Sequence, residues 1–262
     1  MDTYIIDAIR TPFGNFGGTL KDIRTDDLAA IPLRELVSRN NINPSNINDV
    51  ILGCANQAGE DNRNIARMAL LLAGLPYSVP GETINRLCAS GMSAIINAHR
   101  AIKAGDGDLF ISGGIENMTR GPWVISKASK AFGRDAKMYD SSFGWRFINP
   151  KMKEMYGVDG MGTTAENLAD KFNISREDQD KFAFYSQQKA YQAQKSGRLA
   201  EEIVSVEIPQ KKSNPILFEH DEFIKGGTSL EILSKLRTAF KKDGGTVTAG
   251  NASGLNDGAA AM

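Results

Sequence analysis

Cysteine and histidine are scarce in this 262-residue chain, with two of each. Cys54 and Cys88 are too few for a disulfide framework, and their spacing fits no zinc site, so no metal is expected. A reducing compartment, the cytoplasm, is the expected location. Net charge is lacking as well, since 31 Lys and Arg balance 31 Asp and Glu. A partner such as nucleic acid or a membrane surface calls for a basic excess, so neither is expected. The balance is still compatible with a local patch that grips one phosphorylated ligand. Long apolar runs are missing too, and no window reaches the about 18 residues that a bilayer span needs. The opening residues, Met1 to Ile6, have neither the basic lead nor the small-residue cleavage site of a signal peptide. What is there, 41% hydrophobic and 24% charged residues, suits an ordinary globular protein of one large or two modest domains.

The first 120 residues read as alternating strands and helices. Tyr4 to Ile9 forms a predicted strand, stopped by Thr11-Pro12 and the glycines that follow. A helix is predicted from Asp26 to Arg39, with Leu28, Ile31, Leu36 and Val37 on one face. Asp49 to Cys54 is the next strand, Asn64 to Ala73 a helix closed by Gly74, and Thr83 to Leu87 a short strand. That strand runs directly into a helix ending near Gly105, and Asp108 to Gly114 is another buried strand. Residues 120 to about 160 show no sustained period and read as a loop-dominated insertion. Ser175, with Asp178 after it, caps a helix that should carry Phe182, Tyr185 and Ala193 inward and stop at Ser196-Gly197. A further helix is predicted from Leu230 to Phe240. A glycine-punctuated loop from Gly244 to Gly254 then feeds Ala259 to Met262, read as strand or helix. Ending inside an apolar run suggests that the natural chain continues beyond Met262.

The chemistry concentrates at Asn85-Arg86-Leu87-Cys88-Ala89-Ser90-Gly91-Met92-Ser93-Ala94. A strand gives way at Cys88 to a helix whose first turns are almost all small residues, so another backbone can approach and the helix should be buried. Free amides and the helix dipole at its N-terminus favour a thiolate. The same amides can hold a thioester oxygen as it becomes negative. A strand–turn–helix nucleophile with built-in oxyanion donors is what acyl transfer needs. Read from the residues alone, Cys88 divides evenly between this role and that of a buried structural thiol. Cys54 closes an apolar strand with no such helix behind it and reads as core.

Asn85 to Gly91 resembles the active-site signature of the thiolases, in which this cysteine is acylated. Asp7 to Gly14 is similar to that family's opening strand and turn, and Gly113-Gly114-Ile115-Glu116-Asn117-Met118 to its Gly-Gly-x-Glu-x-Met segment. Gly162 to Asn167 and Thr246 to Ala260 resemble its loop-domain and post-loop motifs, so the likeness runs in order along nearly the whole chain. It implies an α/β fold of layered βαβαβαββ type, of which this chain is the N-terminal half with a helical and irregular insertion. Residues 1–119 would be core, 120–245 a loop domain that binds coenzyme A, and 246–262 the return to the core.

The resemblance further implies a ping-pong acyltransferase. Cys88 would be acylated by 3-oxoacyl-CoA or acetyl-CoA and would pass the acyl group to coenzyme A or to acetyl-CoA. Coenzyme A and acyl-CoA are then substrates, with no permanently bound cofactor. Met161, Ala249 and the Ala252-Ser253-Gly254 turn would contact the pantetheine, and Lys225 would lie near the nucleotide phosphates. Leu233, Leu236 and Phe240 would line the adenine side, although their spacing equally suits a helix face in the core. In the family an activating His and a second Cys come from the C-terminal half. His99, about 16 Å along the nucleophile's helix at about 1.5 Å per residue, cannot serve, and His220 matches no catalytic motif. The chain alone is therefore expected to be weakly active or inactive, and a non-catalytic coenzyme A-binding module is the alternative. Gly160 stands where many acetoacetyl-type thiolases have His, and Ser142 to Pro150 looks like thiolases acting on 3-oxoadipyl-CoA, with Arg146 and Arg134 as partners for an acidic acyl tail. Related condensing enzymes share the fold and the cysteine, but the long insertion favours thiolase. A cysteine hydrolase would need His and Asn or Asp motifs that are not found. A homodimer or homotetramer is expected, with Leu109 to Gly113 at the interface.

Overall fold

A computed structural model describes residues 2–262. In chain order the elements are β1 (Ile9–Arg10), β2 (Gly14–Asn15), α1 (Thr25–Arg39), β3 (Asp49–Gly53), α2 (Ile65–Leu72), β4 (Gly81–Ile84), α3 (Ser90–Ala104) and β5 (Phe110–Asn117). There follow β6 (Trp123–Ile125), β7 (Met138–Asp140), α4 (Pro150–Tyr156), α5 (Met161–Phe172) and α6 (Arg176–Lys195). β8 (Val206–Ile208), β9 (Ile216–Phe218), α7 (Leu230–Ser234) and β10 (Asn256–Ala261) complete the chain. They form two compact units, one of residues 1–122, 199–222 and 255–262, the other of 123–198 and 223–254. The first thus takes in 199–222, inside the span read from the sequence as insertion, and the second extends to Gly254.

The first unit is built on a mixed six-stranded sheet in the order β1-β10-β5-β3-β4, with β2 also paired to β10. β3 runs parallel to both β4 and β5, while β10 is antiparallel to β5, β1 and β2. The period-2 alternation of β3 assigns its side chains. Val50 and Leu52 enter the larger core with Leu28, Leu33, Ile65 and Leu70 of α1 and α2, while Ile51 meets Ala94 and Ala98 of α3. So α1 and α2 pack against one face of the sheet and α3 against the other. Burial of α3 is one-sided: Ser90, Ser93, Ala94 and Ala98 are buried, but Met92 is 65% exposed. The expectation of a wholly buried helix is corrected to that extent.

The predicted strand at Tyr4 to Ile9 is also corrected, because only Ile9 and Arg10 pair, opposite Ala261 and Ala260 of β10. Tyr4, Ile5 and Ile6 are exposed. β5 pairs with β3 from Phe110 to Gly114 and with β10 from Gly113 to Asn117. The segment 199–222 is tied in by Arg10, whose guanidinium donates to Asp221 at 2.7 and 2.9 Å and to Glu202 at 2.8 Å.

In the second unit the stretch read as loop holds a hairpin, β6 with β7, and the helix α4. α6 begins where the cap predicted it, with Ser175 Oγ accepting from the Asp178 amide at 3.1 Å. Its inward face keeps Ala193, which is half-buried, but not the other two predicted residues. Phe182 and Tyr185 are exposed, and Asp180, Phe184, Gln187, Gln188 and Tyr191 turn inward instead. That face is polar because it holds loops: Gln187 Oε1 accepts from the Lys225 amide at 2.7 Å, and Asn251 donates to Asp180 at 2.9 Å. α7 stops at Ser234 instead of reaching Phe240. Arg176 donates to the carbonyls of Leu233 and Leu236, and beyond them Ala239 N donates to Val247 O, so the chain pairs with the 246–248 loop in place of another helical turn.

Candidate active site

β4 and α3 are joined by Asn85 to Ala89, and Cys88 sits in that turn with its side chain exposed. Leu87 has a φ of 51°, the left-handed region that costs a branched residue of order 1–3 kcal/mol unless its surroundings hold it there. The holding bonds are explicit. Leu87 N donates to Asn85 Oδ1 at 3.0 Å, Arg86 N to Ser90 Oγ at 2.8 Å, and Ser90 Oγ to Leu87 O at 2.5 Å. Helix α3 has no side-chain cap, because its cap residue is Ala89. The Gly91 and Met92 amides have no acceptor among the described residues, so the helix start beside Cys88 keeps free donors for an anionic oxygen.

Close backbone approach puts the turn there. A Cβ on Gly53 of β3 would overlap the carbonyl carbon of Ser90 and the nitrogen of Gly91, so only glycine lets α3 start against the sheet. The next residue, Cys54, is buried, and its thiol is pushed well up by burial first and then by the charges of Glu116 and Asp61. The two thiols are thus divided, with Cys54 buried and unreactive and Cys88 accessible. Cys54, Asp61 and Glu116 are the one group among the described residues whose donor atoms could converge on a metal. Their carboxylates already serve as acceptors for amides: Asp61 for Gln57 and Gly59, Glu116 for Ala55 and Asn56.

The second unit carries the residues expected at coenzyme A. Met161 is the first residue of α5 and 78% exposed, and Lys225 is exposed with its ammonium 5.3 Å from the Phe223 ring centroid. Leu233 is buried, and it and Leu236 close over Gly250, so these two belong to the packing of that loop. Phe240 lies against Gly162 and is half-exposed, away from any shared helix face. Ala249 and Ser253 are exposed, Ala252 is half-buried, and Gly254 lies under the Phe223 ring. Arg146 donates to Ser141 O at 3.0 Å, and Arg134 is exposed. His99 and His220 are both exposed, His99 on α3 and His220 after β9.

Two residues that bond within the turn, Asn85 and Ser90, carry no separate signal in the sequence beyond the signature that contains them. Glu116, which accepts the Ala55 and Asn56 amides, had its signal in the Gly-Gly-x-Glu-x-Met segment.

The family description "Thiolase, N-terminal domain" matches residues 3–262. The 3-oxoadipyl-CoA/3-oxo-5,6-dehydrosuberyl-CoA thiolase of Escherichia coli (strain K12) is 58% identical over the whole of this chain. The beta-ketoadipyl-CoA thiolase of Pseudomonas aeruginosa is 57% identical over the same span. The chain covers 65% of the length of each. Human mitochondrial 3-ketoacyl-CoA thiolase in complex with CoA superposes with a TM-score of 0.86 at 37% identity, over 98% of this chain and 63% of that one. The acetyl-CoA acetyltransferase of Bacillus anthracis gives 0.84, also at 37% identity, over 98% of this chain and 64% of that one.

Proposed function

Because the chain belongs to the thiolase family, we propose that Cys88 takes an acyl group from acyl-CoA and passes it to a second coenzyme A. The Cys88 Sγ thiolate adds to the thioester or 3-oxo carbonyl, whose oxygen becomes negative beside the α3 amides. Collapse then breaks either the carbon–sulfur bond, releasing coenzyme A thiolate, or the C2–C3 bond, releasing acetyl-CoA once its C2 carbanion is protonated. The Cys88 thioester is opened by the next thiol. The observation that carries this reading is the exposed Cys88 at an uncapped helix start, on a turn held at Leu87. In support, Met161, Ala249 and Ser253 of the second unit are each exposed, as contact with a pantetheine chain requires, and so is Lys225 for phosphates.

The relatives named for 3-oxoadipyl-CoA point to an acidic acyl tail. Cleaving such a substrate between C2 and C3 leaves a succinyl group on Cys88, and Arg146 or Arg134 would pair its carboxylate. The test is intact-mass and peptide analysis of the chain after incubation with acetyl-CoA or succinyl-CoA. One acyl group on Cys88, absent from Cys88→Ala and formed faster from succinyl-CoA, is the expected result. Coenzyme A binding without any adduct would replace this reading with that of a non-catalytic binding module, and faster labelling by acetyl-CoA would retire the acidic substrate.

A further inference from the structure

A line of hydrogen bonds runs from the middle of the sheet to the nucleophile turn, and it starts at Glu116. This half-buried residue of β5 accepts the Ala55 amide on Oε2 at 2.8 Å and the Asn56 amide on Oε1 at 3.2 Å. Two amides on one carboxylate fix the orientation of the peptide that follows β3. The carbonyl of Ala55 then accepts from Asn85 Nδ2 at 2.9 Å. With its amide group oriented that way, Asn85 presents Oδ1 to the Leu87 amide at 3.0 Å. The Leu87 carbonyl in turn receives Ser90 N at 2.9 Å and Ser90 Oγ. Cys88 lies between these two anchors.

We infer that Glu116 and Asn85 are positioning residues for Cys88, acting in series through the Ala55 carbonyl to hold Leu87 in its left-handed conformation. This rests on Cys88 being the acylated nucleophile. Each link has a direction. Rotating the Asn85 amide by half a turn would face its NH2 toward the Leu87 N–H and its oxygen toward the Ala55 carbonyl, two repulsive pairs in place of two bonds. A Gln at position 116 keeps one acceptor oxygen for two amides and turns a donor toward one of them. Asn85 is exposed and its side chain serves no core, so its removal reports on the turn alone.

The experiment compares the chain with Asn85→Ala, Glu116→Gln and the double variant. It reads the iodoacetamide alkylation rate of Cys88 by peptide mass, the rate and half-saturating concentration for labelling by acetyl-CoA, and the melting temperature. Each single variant is expected to slow both reactions about tenfold or more, as misplacing a reacting atom does, with half-saturation unchanged within twofold. The double variant should be no slower than the slower single one, because serial links fail together. Rates within twofold of the parent, or losses that multiply in the double variant, would overturn the assignment. If Glu116→Gln does not fold, Asn85→Ala alone decides. If acetyl-CoA fails to label the parent while alkylation shows the expected pattern, positioning stands and the acyl-transfer reading falls.

Discussion

Gly53 decides where Cys88 stands, although its own chemistry contributes nothing. The start of α3 lies so close over it that one added methyl group meets backbone atoms of Ser90 and Gly91, which cannot rotate out of the way as a side chain could. Gly53→Ala is therefore expected to cost about 1–3 kcal/mol, the usual range for overpacking. It should also lift the first turn of α3 from the sheet and carry Cys88 with it. Chemical unfolding measures the first effect and iodoacetamide alkylation of Cys88 the second. An alanine variant with parent stability and parent alkylation rate would show that the helix start is not set by this contact. The strand, turn and helix around Cys88 were legible in the sequence, since a strand, a cysteine and a run of small residues follow one another there. The line from Glu116 through Asn85 was not, because it joins residues 31 positions apart through the peptide of Ala55.

At the scale of elements, Glu166 holds the second unit together. It sits on α5, is 2% exposed, and accepts from Thr246 N at 2.9 Å, Val247 N at 2.8 Å and Thr246 Oγ1 at 3.0 Å. Burial by itself would raise its pKa, but the amides of Val247 and Thr246 with the Thr246 hydroxyl outweigh it and the carboxylate ends below its ordinary value. A carboxyl group depressed in the fold stabilises the protein above its unfolded value of about 4.3, and that contribution is lost as the pH falls through the folded value. Hydrogen exchange of the 244–252 segment should therefore quicken in acid. Glu166→Gln should lose about 1–3 kcal/mol of protection at neutral pH and lose less further protection in acid than the parent. Equal acid sensitivity in the two proteins would assign the effect to another group. The elements of the first unit were largely legible because their apolar period matched a buried face: Leu28 and Leu36 on α1, Val50 and Leu52 on β3. The misreadings share a different cause. α6 turns a polar face inward to hold loops, α7 yields its last turn to pairing with the 246–248 loop, and Tyr4 to Asp7 pair with no strand among the described residues.

At the scale of the whole molecule, the question is what could move a proton at Cys88, and α3 brings no imidazole within reach of it. His99 follows Cys88 on α3 by eleven residues, about 16 Å at about 1.5 Å per residue, and it is exposed. On the acyl-transfer reading proposed above, the start of α3 would supply donors for a developing oxyanion but no group to take and return a proton, and a positioned general base is worth typically about 10²–10⁴-fold. Acylation and turnover should therefore separate in this chain. One equivalent of acetyl-CoA is expected to label Cys88, and turnover of acetoacetyl-CoA with coenzyme A should run about 10²–10⁴-fold below that of an intact thiolase. Rapid quenching, followed by separate counting of bound acetyl groups and released acetyl-CoA, distinguishes the two steps. Turnover within tenfold of the intact enzyme would mean that a base other than the α3 imidazole serves Cys88, and His220→Ala would then show whether the remaining histidine is that base.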